Sequence, residues 1–250
     1  MSEVWVTGVG LLSSLGEGPA AHWAALTAPE GPRPVLAEVP GLPAPIHPLA
    51  PVDYDRQIPK KGDQRQMEPW QRIGTYAAGL ALAEAGVAGD AALLARTHMI
   101  VAAGGGERDL AVDLALVHDL AGKEGAAPVL NARLSSDLRP TLFLAQLTNL
   151  LAGSISIVHG VRGSSRSFMG EESAGADAVR VAQARIAAGQ IDLALVGGSF
   201  SAPRPDLAML YGGAGTLARG PWRPVWARAE GPDPGFHPGS LGAFLVIEAA

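Results

Sequence analysis

The first half of the chain shows an alternation of apolar runs and helical periodicities. Residues 3–9 form a β-branched apolar run that predicts a buried strand, and a short helix follows at 19–26. An alanine-rich helix is predicted over 66–86, a buried strand over 97–103 and a further helix over 107–121. The apolar face of that last helix consists of Leu110, Leu114, Val117 and Leu120. This order of elements is typical of an α/β protein.

The densest pattern lies between residues 138 and 200. It predicts an apolar helix at 142–153, a short strand at 154–158 and a second strand at 165–169. A glycine-bounded acidic turn follows at 170–175, which we call the elbow, and it leads into a helix that Gly189 ends. The apolar run 191–196 before Gly197 and Gly198 predicts another buried strand.

The pattern weakens over residues 29–59, which hold nine prolines. Such a segment is typical of an irregular surface excursion, or of a linker between two domains. We prefer the excursion because residues 1–28 are too few to bury a core alone. With a last strand at 242–248, the sequence predicts a single domain over 1–250. Its expected architecture is a five-stranded mixed, mostly parallel sheet with helices on both faces.

Composition and charge narrow the functional classes. Apolar residues make up 48% of the chain and charged residues 17%, which is typical of a globular protein. The net charge of −5 and the presence of only three lysines argue against nucleic acid or an anionic membrane as a partner. The chain has no cysteine, which excludes disulfides and thiolate metal sites within it. We find no leader and no membrane-spanning run, so a cytoplasmic location is expected.

Three features of the sequence could suggest a cofactor or a metal site, but each is incomplete. Gly8-x-Gly10 follows a strand, but Ser13 occupies the third glycine position of the dinucleotide-binding fingerprint. His98 lies inside a predicted strand, where a hydrogen-bonded histidine is the usual explanation. His118 has Asp119 beside it but no second donor at metal-ligand spacing. We therefore expect neither a cofactor nor a metal.

Three ordered segments resemble the β-ketoacyl-acyl-carrier-protein synthases, which have a thiolase-like fold. Residues 149–199 resemble the nucleophile region of that family, and they read NLLAGSISIVHGVRGSSRSFMGEESAGADAVRVAQARIAAGQIDLALVGGS. Residues 4–16 resemble its opening V-T-G-x-G motif, and residues 236–248 its F-x-x-G-E-G-A-G segment. The positions in register with the family are Asn149, Ala152, Gly153, Gly160, Gly163, Gly189, Gly197 and Gly198. The resemblance implies the N-terminal half of a thiolase-like fold.

The departures from this family concern its chemistry. In register, the nucleophilic cysteine of the family falls on Glu172, and a carboxylate cannot serve as the acyl acceptor of a Claisen condensation. The sequence ends at Ala250, so we expect the second half of the family fold, with its two catalytic histidines, to be missing. The resemblance thus implies no catalytic residue in this chain.

Glu171 and Glu172 allow two interpretations. Acidic residues are favoured in the first turn of a helix, where the amides carry partial positive charge, so both glutamates can be ordinary helix-start residues. Alternatively, Glu172 forms the floor of a former acyl pocket, where a buried carboxylate needs a cation or several amide donors, or is protonated. General acid/base work by the pair remains possible chemically, but no accompanying nucleophile is evident.

A serine hydrolase is the alternative from another functional class. The elbow Gly170-Glu171-Glu172-Ser173-Ala174-Gly175 is similar to the nucleophile elbow of α/β-hydrolases, with Gly104–Gly106 as an oxyanion loop and His237 as the base. The acid would be Asp206 or Asp233. However, Glu171 occupies the position where that motif needs glycine, so the motif is broken.

The family resemblance implies a non-catalytic subunit of chain-length-factor type in aryl-polyene, polyketide or fatty-acid-type biosynthesis. Its implied partners are a complete ketosynthase, in a heterodimer, and an acyl carrier protein that reaches the complex. The basic residues at 60–65 have two interpretations: they contact that carrier protein, or they form the solvated start of a helix. We prefer the second. The implied interface residues are Gly163, Ser164, Ser165, Arg166, Ser167, Phe168 and Asn149. The implied residues that gate the acyl tunnel are Leu142, Phe143, Gln146 and Leu147.

Overall fold

The computed structural model describes residues 3–32, 34–106, 109–138, 146–170, 173–228 and 235–250. Its strands are β1 (Val4–Ser13), β2 (Gly16–Glu17), β3 (His98–Ala103), β4 (Ser165–Met169), β5 (Leu193–Phe200) and β6 (Leu241–Ala249). Its α-helices, numbered along the chain, are α1 (Gly18–Leu26), α2 (Lys61–Gln66), α3 (Pro69–Glu84), α4 (Ala91–Arg96), α5 (Leu110–Leu120), α6 (Ala127–Asp137), α7 (Leu150–His159), α8 (Ala174–Ala187), α9 (Pro205–Gly213) and α10 (Val225–Arg228). A 3₁₀ turn occupies Tyr54–Arg56.

The strands form one six-stranded mixed sheet in the order β2-β1-β6-β5-β3-β4. Four strands (β1, β3, β4 and β5) run in the same direction, but β6 lies between β1 and β5 and is antiparallel to both. Only the β3–β4 and β3–β5 pairings are parallel. The predicted α/β mixed sheet is confirmed, whereas its pairings are not mostly parallel. The sixth strand is the two-residue β2, which pairs with the end of β1.

Helix α3 is the centre of the fold. Eleven of its sixteen residues are buried, because the sheet covers one side of it and α7 and residues from the proline-rich segment cover others. The segment contributes Leu49, Val52 and Tyr54, which pack beside Tyr76 of the helix. The approach of α3 to β1 is very close, since a Cβ at Gly10 would lie 1.9 Å from the carbonyl oxygen of Ala77. Glycine is therefore a packing requirement on β1.

The opposite face of the sheet carries α8. Its buried residues Ala174, Ala178, Ala182 and Ile186 recur at helical spacing and pack against β3 and β5. Because most of these side chains are small, the helix lies close to the sheet. The predicted helix after the elbow is confirmed. The predicted strand at 165–169 is confirmed with the same bounds, and the strand predicted at 192–197 is β5, which runs from Leu193 to Phe200.

The main error of the sequence prediction concerns residues 146–158. Residues 146–149 form a turn, and the predicted strand at 154–158 is the second half of α7. The alternation of Ser154, Ile155, Ser156 and Ile157 resembles a strand, but Ile155 is buried beside α3 in a helix. Gly160 ends the helix in a left-handed conformation with φ 77°. The predicted helix at 142–153 is therefore wrong over residues 146–149, which form a turn, and confirmed over 150–153, where α7 begins.

Two other regions differ in detail. The predicted helix at 66–86 is α3, which begins only at Pro69 because a proline in the first turn requires an extended Glu68 before it. A separate short helix, α2, occupies the polar lead-in at 61–66. After β3, α5 and the unpredicted α6 form a helical hairpin that the ion pair of Arg133 with Asp119 joins, and a second ion pair of Arg133, with Asp137, lies within α6. Among the described residues, no helix is long and apolar enough to cross a membrane.

Candidate functional site

The elbow joins the edge strand β4 to the buried helix α8. Gly170 has φ 146°, a value that favours glycine, and a Cβ there would lie 3.3 Å from the Cβ of Ala174. Glu171 and Glu172 lie outside the described residues. Ser173 is exposed, and its hydroxyl donates to Asp177 at 3.2 Å. Gly170 and Gly175 both line a cavity, so the elbow borders that space on both sides of the glutamates.

The cavity has a volume of about 580 Å³. The carboxyl ends of the parallel strands β3 and β5 form its floor, and α8, α9 and the segment before β6 form its walls. Most of its lining is apolar or small, including Val179, Leu207, Tyr211 and Phe236. A pocket at the carboxyl end of parallel strands is the usual ligand position in α/β proteins. This one is suited to an apolar chain.

Arg204 is the buried cation of the cavity wall, with 8% of its side chain exposed. Its Nη1 donates to the carbonyl of Gly105 at 2.8 Å and its Nη2 to that of Gly106 at 3.1 Å. Its Nε and Nη2 donate to the carboxylate of Asp206 at 3.1 and 2.5 Å. Burial acts to raise the pKa of Asp206, but the hydrogen bonds and charge of Arg204 outweigh it and the pKa lies below its usual value. The pair thus fixes the glycine-rich loop after β3.

The predicted hydrolase triad is not assembled by the described residues. His237 is buried in the cavity wall, and its Nδ1 donates to the carbonyl of Pro45 at 3.3 Å. Ser173 instead bonds to Asp177 and does not line the cavity, while Asp206 bonds to Arg204. Asp233 lies outside the described residues. The geometry of the described residues therefore gives no support to the hydrolase hypothesis. These residues also contain no cluster of three or more metal-ligating side chains.

The family model of the β-ketoacyl synthase N-terminal domain matches residues 1–250. The chain belongs to the β-ketoacyl synthase family. A curated relative, 3-oxoacyl-[acyl-carrier-protein] synthase 2 of Rhizobium meliloti (strain 1021), is 30% identical over 215 residues, which are 80% of this chain and 47% of the relative. The chain therefore spans about half the length of that β-ketoacyl synthase.

Solved structures agree on the fold. A β-ketoacyl synthase from Burkholderia phymatum STM815 superposes with a TM-score of 0.77 at 21% identity, over 100% of this chain and 60% of the other. The ishigamide ketosynthase/chain length factor superposes with a TM-score of 0.75 at 20% identity, over 99% and 58%. The predicted thiolase-like family and N-terminal half are thus confirmed.

The structure brings together only some of the residues that the resemblance singled out. Ser165, Arg166, Ser167 and Phe168 lie on β4, the edge strand of the sheet, and Phe168 packs partly into the core. Asn149 is exposed and is not on β4 but just before α7. Gln146 is exposed and Leu147 half-buried in the turn before α7, while Leu142 and Phe143 lie outside the described residues.

The buried Arg204–Asp206 pair and the walls of the cavity were missed by the sequence prediction. Arg204 stands in a proline-rich stretch, between Pro203 and Pro205, and no spacing rule connects it with Gly105. The only available signal was its position shortly after a buried strand that ends in Gly197-Gly198. In α/β folds such positions surround the ligand pocket.

Proposed function

We propose that this chain is a non-catalytic, chain-length-factor-like subunit that forms a heterodimer with an active ketosynthase and shapes its acyl tunnel. The observation that carries the proposal is the elbow. It occupies the place of the family's nucleophile, between β4 and α8 and beside an apolar cavity, yet it presents two glutamates, and the chain has no cysteine. Covalent catalysis needs a nucleophile with an activating base, and none lines this cavity among the described residues.

The position of β4 supports a partner at the sheet edge. Within the described part of the chain β4 pairs only with β3, so its other side presents unpaired backbone groups. An exposed edge strand is a template for pairing with another chain. Arg166 and Met169 are exposed on this strand. A partner ketosynthase that pairs here and covers an apolar helix would bury on the order of 2,000 Å² in total.

Two structures of similar fold support this class of partner. The ishigamide relative is a ketosynthase/chain length factor, and the AntDE:AntF structure is a type II PKS acyl-carrier protein in complex with its ketosynthase. The latter superposes on this chain with a TM-score of 0.69 at 21% identity. We propose the same two partner classes here, a ketosynthase and an acyl carrier protein, in an aryl-polyene-like or related pathway in the cytoplasm.

The test is reconstitution with a complete ketosynthase. The purified chain alone should neither condense nor decarboxylate malonyl units. The pair should condense them, and the activity should vanish when the cysteine of the partner is changed to alanine. A Glu172→Gln variant of this chain should retain the activity of the pair. Turnover by the chain alone would overturn the proposal.

A further inference from the structure

A serine–histidine pair lies at the end of β1, outside the site described above. Ser13 is the last residue of β1, and His22 lies on the following helix α1. The Oγ of Ser13 and the Nε2 of His22 are 2.7 Å apart. Both side chains are half-buried, so a reagent can reach them from the surface. Nothing in the proposed function uses either residue.

The tautomer of His22 follows from its second hydrogen bond. Its Nδ1 lies 2.8 Å from the carbonyl oxygen of Gly18, and a carbonyl only accepts. In the neutral ring Nδ1 therefore carries the hydrogen and Nε2 is the acceptor. The hydroxyl of Ser13 must then donate to Nε2. A hydroxyl that donates to an imidazole, held in position by a third group, is the arrangement that activates nucleophilic serines.

The backbone around Ser13 also favours a developing negative charge. The amide of Leu15 donates to the Oγ of Ser13 at 3.1 Å, which stabilises the oxygen as its proton leaves. The tight turn that allows this contact depends on Gly16, whose φ is 122°. Ser13 thus has both a base for its proton and a donor for its oxygen.

Two other serines of the molecule provide an internal comparison. Ser164 lies 2.6 Å from Nδ1 of His98, but no described contact of the other ring nitrogen fixes the tautomer. Ser173, in the elbow, donates to the carboxylate of Asp177 and not to a histidine. Of these three serines, only Ser13 combines an acceptor imidazole with a group that orients the ring.

We propose that Ser13 is a nucleophile that accepts an acyl group from an activated ester or thioester. Its Oγ attacks the carbonyl carbon, and a bond forms between them while His22 Nε2 takes the hydroxyl proton. The bond from carbon to the leaving oxygen or sulfur breaks, and His22 returns the proton to it, so that an alcohol or thiol departs. The contacts of the described residues show no pair of donors for a carbonyl oxyanion, so both the acylation of Ser13 and the hydrolysis of the acyl-serine should be slow.

The experiment uses a fluorophosphonate probe, which bonds to an activated serine oxygen with loss of fluoride. Peptide mass spectrometry of the labelled chain should place the label on Ser13. His22→Gln should slow labelling at least tenfold, since a positioned general base contributes about 10²–10⁴-fold. Ser14→Ala and Ser164→Ala are the matched controls and should label at the wild-type rate.

A second variant keeps the test decisive if Ser13→Ala fails to fold. Ser13→Cys places a single thiol in a chain that otherwise has none, so its reaction with iodoacetamide reports that position alone. His22 should keep this thiol reactive at pH 6, and adding His22→Gln should remove that reactivity at least tenfold. No label on Ser13, a label on Ser173, or a rate independent of His22 would each overturn the proposal.

Discussion

Single glycines set the distance between the sheet and its central helix. On β1, Gly8 and Gly10 face the backbone of α3, and a Cβ at Gly8 would lie 2.2 Å from the carbonyl oxygen of Ala81. A backbone atom cannot move aside as the end of a side chain can, so the strand and helix would have to separate. These two positions therefore determine how much of the α3 surface is buried.

Gly10→Ala should lower the free energy of unfolding by about 3 kcal/mol, because the added methyl group collides with the α3 backbone. Gly175→Ala is the matched control, since a Cβ there meets no atom within 4 Å. It should raise the free energy of unfolding by about 0.5–1 kcal/mol, the usual gain when alanine replaces glycine in a helix. Urea denaturation of both variants measures the difference, and equal midpoints would contradict the packing described here.

His159 should make the protein less stable in mild acid. Its Nε2 donates to the carbonyl of Thr75 at 2.8 Å, and burial lowers its pKa more than this bond raises it. The unfolded chain therefore binds the proton first as the pH falls below about 6.5, and stability falls with it. Urea midpoints between pH 7.5 and 5 should drop for the wild type and less for His159→Gln. His118→Gln, on the exposed side of α5, should follow the wild type.

Phe143 is the residue whose truncation should alter product length. If residues near the start of α7 close the partner's tunnel, Phe143→Ala opens space for additional methylenes, each worth about 0.8 kcal/mol when buried. Longer products should appear in mass spectra of the reconstituted pair, with little change in the condensation rate. Gln146→Ala, in the exposed turn before α7, and Leu147→Ala test the neighbouring positions. Unchanged products from all three variants in an intact complex would refute the gating assignment.

At the scale of elements, β4 is the longer of the two edge strands of the sheet, because β2 at the other edge has only two residues. A charge on the exposed surface of β4 should weaken a complex that covers it, since the charge loses its water on binding. Met169→Glu should raise the Kd of the ketosynthase pair at least tenfold, about 1.4 kcal/mol. Met209→Glu on α9 is the control, because its residue is equally exposed, at 75% against 73%. Sedimentation velocity measures both, and equal affinities would place the partner elsewhere.

The comparison of α7 with α8 shows what the sequence could predict. Helix α8 was predicted because its buried alanines recur at helical spacing and Gly189 ends it. Helix α7 was divided wrongly because its second half alternates serine with β-branched residues, a local preference that packing against α3 overrides. A sequence pattern therefore predicts a helix reliably only where the spacing of apolar residues and the residues that begin or end the helix indicate the same element.

At the scale of the whole molecule, the family resemblance predicted more than any local pattern. It identified the correct fold from three segments spread over residues 4–248, and β1, β5 and β6 all contain residues of those segments. The cavity could not be predicted, because five separate segments line it and their distances depend on the packed sheet. The position of β6 between β1 and β5, antiparallel to both, could not be predicted from the sequence either, because strand order depends on how the whole core packs.

The pairing of β6 with β1 has a consequence for folding during translation. Strand β1 pairs along nearly its whole length with β6, whose first residue, Leu241, lies more than two hundred positions later. Chains are made at about 5–20 residues per second, so the first strand waits on the order of ten seconds or more for its neighbour. During that time the apolar edge of β1 is available to other nascent chains. A chaperone that holds early translation products should therefore raise the yield of this protein more than one that acts on the completed chain.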